Sequence, residues 1–148
     1  MRTPSQTVGP FYTIGLCRRP ENELVSPDDA GAIQLTGLLL DGAGTPVSDG
    51  VIELWDPSRR RWGRSGTDAD GRFSFTVAEA QHLEACVFAR GLLRHQLTRI
   101  YFPDASDDPL LSSLGAAERE TLIAEQQNGA LRFDIRLQGD RQTVFFAH

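Results

Sequence analysis

From residue 33 onward, apolar and polar side chains alternate with a period of two, the pattern of strands that bury one face. Gln34-Leu35-Thr36-Gly37-Leu38-Leu39-Leu40 reads as a strand closed by the turn residues Asp41-Gly42-Ala43-Gly44. Val51-Ile52-Glu53-Leu54-Trp55 follows, and Asp68-Ala69-Asp70-Gly71 turns into Arg72-Phe73-Ser74-Phe75. Leu83, Ala85, Val87 and Ala89 then alternate with His82, Glu84, Cys86 and Phe88. Further strands are expected over Gln96–Phe102, Leu131–Leu137 and Thr143–Phe146. Seven short strands with turn signals between most of them predict an all-β, antiparallel β-sandwich. One helix is expected at about 115–127, where Leu114, Ala117, Thr121 and Ala124 fall at helical spacings and Gly129 lies just past the end.

The first 32 residues follow neither period. They carry Pro4, Pro10, Pro20 and Pro27 and a single apolar patch from Phe11 to Leu16. Proline fixes φ and removes a donor, so this stretch reads as an extended N-terminal arm (1–32) lying across a surface, ahead of a sandwich domain (33–148). A partner chain could supply that surface.

Composition narrows the function classes. A chain of 148 residues with 40% hydrophobic content is the size of one soluble domain. A formal charge of −5 argues against a nucleic-acid partner. No run approaches the roughly 20 apolar residues that span a bilayer, and no apolar stretch follows the first residues, so no membrane partner is expected and the cytoplasm is the expected location. Cys17 and Cys86 are too few for a disulfide framework and are expected to be free thiols.

Several motifs then combine in a fixed order: Thr3-Pro4-Ser5-Gln6-Thr7-Val8-Gly9-Pro10-Phe11, Glu53-Leu54-Trp55, Asp68-x-Asp70-Gly71-x-Phe73-x-Phe75, Phe88-Ala89-Arg90-Gly91, Thr98-Arg99-Ile100-Tyr101-Phe102 and Arg132-Phe133-Asp134-Ile135-Arg136-Leu137-Gln138-Gly139. From about Thr3 to Phe146 the chain resembles the intradiol ring-cleavage dioxygenases, whose domain is a prealbumin-like sandwich. That family holds a ferric ion with two tyrosines and two histidines. Here the matching His-x-His triplet is His82-Leu83-Glu84, the nearest match to one tyrosine is Arg61-Trp62, and Thr76–Gln81 has no tyrosine at all. Indole is a donor only and cannot ligate iron. At most His82 survives of the four ligand positions, so no metal ligand and no catalytic residue is expected in this chain.

The resemblance therefore implies the iron-free alpha chain of a two-chain enzyme acting on protocatechuate. Its partner would be an iron-binding beta subunit carrying Fe3+, and together they would open protocatechuate with O2 to 3-carboxy-cis,cis-muconate. Positions Thr7, Gly9 and Pro10 of the arm, with Arg90, match alpha-chain residues that wall the carboxylate end of the substrate. An arginine suits a carboxylate because its planar fork can hold an anion with two bonds. The loops between Trp55 and Thr67 and between Phe75 and His82 are shorter than the alpha pattern.

Plainer readings stand beside these. Arg90 could form a structural ion pair, and the Thr7–Pro10 stretch could only join two chains. His82, Glu84 and Cys86 share a strand face that could bind a metal, or be a partly buried polar patch. Asp68–Gly71 has the look of a calcium loop, but a hairpin turn explains it. Arg59-Arg60-Arg61 reads as a solvated hairpin tip, and His95 and His148 as solvated side chains. Two other functions remain: a non-catalytic prealbumin-like binding or structural module, and a lone metalloenzyme using His82 and Glu84.

Overall fold

A computed structural model describes residues 2–105 and 108–146. His148 lies outside the described residues. Two sheets face each other. One has the order β4 (Arg72–Ala78), β1 (Ala32–Leu40), β8 (Ala130–Arg132), β7 (Glu125–Gln127), with β9 (Ile135–Arg136) also on β1. The other runs β3 (Arg61–Gly66), β2 (Val51–Asp56), β5 (His82–Phe88), β6 (Gln96–Tyr101). The core lies between them, and the period-two pattern dictates it. Leu35 and Leu39 of β1, Phe73, Phe75 and Val77 of β4, Ile52 and Leu54 of β2, and Leu83, Ala85 and Val87 of β5 all point inward and are buried. A β-sandwich is what the alternation predicts, and it is what the chain forms.

Between the named strands the pairing is antiparallel except at one place. β8 and β9 run parallel to β1. Between them the chain leaves the ladder at Phe133 and Asp134. The Phe133 N–H donates to the Thr36 carbonyl at 2.9 Å. The Asp134 carboxylate then accepts the Leu38 N–H at 3.0 Å, so a side chain stands in for a backbone acceptor. This inward step needs room, and Gly37 supplies it: a Cβ there would collide with the Phe133 carbonyl oxygen and the Phe73 ring. The expected continuous strand over Leu131–Leu137 is thus two short ones split by a bulge.

Other elements also depart from the sequence reading. The helix expected at 115–127 is only Ala116–Glu120 (α3), preceded by another short helix, α2 (Pro109–Ser113). The Tyr101 N–H donates to the Leu122 carbonyl at 2.8 Å and the Ala124 N–H donates to the Tyr101 carbonyl at 2.9 Å. Pairing to β6 and burial of Leu122 and Ala124 outweigh local helix propensity there. A further helix, α1 (Phe11–Leu16), lies in the arm, so the described residues form three short helices rather than one. Thr143–Phe146 meets β6 through the Leu97–Phe146 bridge and a hydrogen bond from the Thr98 hydroxyl to the Val144 carbonyl at 2.7 Å, and is not a strand.

Within the first 32 residues, Glu21 bridges to Arg64 and Glu23 to Thr76, so this stretch meets both sheets. Leu24 is buried against the place left open by Gly63, where a Cβ would lie 2.6 Å from the Leu24 side chain. No described helix is long and apolar enough to cross a membrane.

Candidate functional site

Two places on the sheet β3-β2-β5-β6 carry the chemistry, both on the face turned away from the core. Register sets the first. Trp62, Trp55, Glu84 and Arg99 form one row across four strands. Arg64, Glu53, Cys86 and Leu97 form the next, and His82 stands opposite Tyr101. A cavity of about 460 Å³ opens over these rows, closed on one side by Leu110 of α2 and by Phe146.

The charges in these rows are largely committed. Arg64 donates to Glu53 at 2.9 Å from Nε and 2.6 Å from Nη2, and its guanidinium lies 4.7 Å from the Trp62 ring centroid. Arg99 donates to Asp108 at 3.4 Å and to the Tyr101 hydroxyl at 3.3 Å, with Glu84 further off at 3.9 Å. Asp108 also caps α2, accepting the N–H groups of Leu110 at 2.8 Å and Leu111 at 3.1 Å. Burial works to raise its carboxyl, but the Leu111 N–H, Tyr101, the Leu110 N–H and Arg99 outweigh it and hold it below the ordinary value. Burial, aided by Arg99, holds the His82 imidazole below its ordinary value, partly opposed by Asp108. Its Nδ1 is buried, 3.9 Å from Asp108, and has no hydrogen bond among the described residues. Burial, then Glu53, pushes the Cys86 thiol up to about 12. The face therefore holds a neutral imidazole and a protonated thiol at neutral pH.

The second place lies at the end of the same sheet, where the arm crosses it. Tyr12 of α1 packs on Phe88 with ring centroids 5.3 Å apart, and Thr13 donates to the Asp49 carbonyl at 2.6 Å. Thr7 accepts the Gly91 N–H at 2.8 Å, which brings the arm beside Arg90. Gly9 has φ +72°, a left-handed turn that suits glycine, and Pro10 stands at the start of α1 without a capping side-chain hydrogen bond. Arg90 pairs with Asp49 at 3.2 Å. The Asp49 carboxylate oxygens are buried and accept no hydrogen bond among the described residues, so Arg90 is the charge that compensates them. The Arg90 side chain is nevertheless 61% exposed.

Asp49 was not evident from the sequence, since nothing in Ser48-Asp49-Gly50 marks burial. The indole pair had a readable signal. Trp55 and Trp62 sit symmetrically about the β2–β3 hairpin tip, which makes them cross-strand neighbours. The Asp56 carboxylate nucleates that tip by accepting from Ser58 and Arg59, and Arg60 takes φ 54°. The Asp68 carboxylate similarly accepts the Asp70 and Arg72 N–H groups, each at 2.9 Å, so Asp68–Gly71 is a hairpin turn.

The chain was compared with known proteins. No family model matches it. The protocatechuate 3,4-dioxygenase alpha chain of Burkholderia cepacia is 34% identical over 190 aligned positions, covering 98% of this chain and 96% of the relative. The chain belongs to the protocatechuate 3,4-dioxygenase alpha-chain family. The alignment is longer than the chain's 148 residues, so the relative carries insertions that this family member lacks. The protocatechuate 3,4-dioxygenase beta chain of the same organism is 26% identical, covering 72% of this chain and 64% of the relative. Among solved structures, the dioxygenase domain of a dioxygenase–carbohydrate-binding fusion from Streptomyces sp. SirexAA-E shares the fold, with a TM-score of 0.59 at 20% identity, covering 94% of this chain and 99% of that one.

Intradiol dioxygenases are iron enzymes. The side chains of this alpha-chain family member do not fit a ferric centre. Glu84 projects toward Arg99, His82 turns to Tyr101 and Asp108, and the matching aromatic is Trp62, which has no lone pair to give. Among the described residues no three His, Cys, Asp or Glu side chains gather to hold a metal ion.

Proposed function

We propose that this chain is the alpha subunit of a protocatechuate 3,4-dioxygenase and leaves iron binding to a beta subunit. The observation that carries the reading is the likeness to alpha chains over nearly the whole of both proteins, joined to a sheet face whose side chains do not suit iron. The complex opens protocatechuate with O2 to 3-carboxy-cis,cis-muconate. The likeness to both alpha and beta chains supports a two-chain assembly and does not favour a non-catalytic module. In this reading Fe3+ is the beta subunit's, and the pair works in the cytoplasm, where two free cysteines are at home.

The arm is the natural place for the partner. Phe11 and Ile14 of α1 are exposed, at 77% and 66%, and Leu93 is exposed beside Gln6 and Val8. Large apolar side chains at a surface are the material of interfaces. Thr7, Gly9 and Pro10 then reach the edge of the beta subunit's pocket, and Arg90 offers its outward side to the substrate carboxylate while its Nε holds Asp49.

Native mass spectrometry with iron analysis tests the assembly. The expected result is a complex with a second, iron-loaded chain that consumes O2 with protocatechuate. A chain that remains alone beside such a partner would refute it. Arg90→Ala and Arg90→Lys, read in the assembled enzyme, test the site. Loss of a charge-assisted bond costs about 1.5–3 kcal/mol, so Arg90→Ala should raise KM for protocatechuate at least tenfold with iron content unchanged. Arg90→Lys keeps the charge beside Asp49, and so separates substrate binding from folding. Unchanged KM in both variants would remove Arg90 from the site.

A further inference from the structure

Building on the alpha-subunit reading, we propose that Asp49 is a positioning residue. It fixes the direction of the Arg90 guanidinium, and so sets how firmly the assembled enzyme holds the carboxylate of its substrate. Register brings the two side chains together. Val51 of β2 stands opposite Phe88 of β5. Asp49 lies two residues before Val51 and Arg90 two after Phe88, so they continue the same cross-strand row just past the end of the ladder.

The two partners differ in freedom. Asp49 is held from both sides: Thr13 of α1 donates to its carbonyl at 2.6 Å, and the following Gly50 N–H donates to the buried Thr67 hydroxyl at 2.9 Å. The Thr67 N–H donates back to the Gly50 carbonyl at 3.0 Å. Arg90, by contrast, reaches outward from a turn in which Gly91 takes φ +85°. A buried carboxylate that accepts no hydrogen bond is costly, and folded proteins keep few of them. Both Asp49 oxygens are covered by this chain itself, so the compensating charge has to come from within it. Among the described residues Arg90 is the one cation within 4 Å. Its Nε lies 3.2 Å from Asp49, which leaves the terminal Nη groups to meet an anion as a fork. An arginine without such an anchor samples many rotamers, and ordering it on binding weakens the hold on the ligand.

Asp49→Asn keeps the shape and removes the charge. In the assembled alpha–beta enzyme it should raise KM for protocatechuate about fivefold, with kcat within about twofold and iron content unchanged. Catechol, the same ring without the carboxylate, is the control: its inhibition constant against protocatechuate should stay within about twofold. A merely structural role for Asp49 would loosen the arm and weaken both molecules alike. In an Arg90→Ala background Asp49→Asn should add nothing, because the group it aims is gone. Asn fills the same volume and relieves a buried charge, so the fold is not at risk, and Asp49→Ser gives a second, independent uncharged variant. An unchanged KM in Asp49→Asn beside a raised one in Arg90→Ala would overturn the role of Asp49 and leave the alpha-subunit reading standing. An unchanged KM in both variants would remove the two together. Equal weakening of catechol, or a further loss on top of Arg90→Ala, would also refute positioning.

Discussion

Asp108 ties together more of the candidate site than any other side chain, and removing it gives a graded outcome. Its carboxylate caps α2 through two backbone N–H groups, pairs with Arg99 at 3.4 Å and faces His82 at 3.9 Å. Losing an N-cap costs about 0.5–2 kcal/mol. The Arg99 pair is partly screened, because Arg99 is 27% exposed, so about 1 kcal/mol is a fair share for it. Asp108→Ala should therefore cost about 1.5–3 kcal/mol. Asp108→Asn keeps an oxygen to cap the helix and gives up only the charge, and should cost about 1 kcal/mol. Urea unfolding followed by circular dichroism measures both. Equal losses for Ala and Asn would mean that charge, not capping, holds the element. A loss below about 0.5 kcal/mol for Asp108→Ala would refute the reasoning outright.

Three further outcomes follow from single residues. Gly37→Ala must displace the Phe133 carbonyl or the Phe73 ring, and should cost about 3 kcal/mol or more, read as a fall in the urea midpoint. His82 is held neutral in the fold, so its contribution is fully present above the unfolded pKa of about 6.5 and is lost as pH falls from there toward its lower folded value. His82→Gln should flatten the stability profile in that window, whereas Asp56 and Asp108, with carboxyls held below the ordinary value of 3.8, act only at more acidic pH. Cys86, pushed from 9.0 up to about 12, should react with iodoacetamide about a thousandfold more slowly than an ordinary exposed thiol, as timed by mass spectrometry.

The parts of the fold that were legible in the sequence are those where one residue in two is large and apolar. β1, β2, β4, β5 and β6 all announce themselves this way. β3 does not, because its core-facing position is Gly63 and the apolar filler, Leu24, comes from the arm. Alternation within one segment cannot reveal a side chain supplied by another. The same limit explains the segment after α3, where helical spacing gave way to pairing with Tyr101. At the candidate site, the strand face shared by His82, Glu84 and Cys86 was legible from alternation. The Asp49–Arg90 pair was not, since it depends on a burial that only the crossing of the arm creates.

The bulge opposite Gly37 has a consequence for how the molecule is made. Asp134, which completes the β1 ladder, lies 96 residues beyond Leu38. During synthesis β1 and β4 can zip together early, yet the other side of β1 must wait for nearly a hundred more residues to leave the ribosome. Until then a run of unpaired donors and acceptors faces solvent, a ready template for another nascent chain. Long-range closure of this kind also folds slowly. A late arrival of one short segment, more than any weakness of the finished core, sets when this chain becomes safe from aggregation.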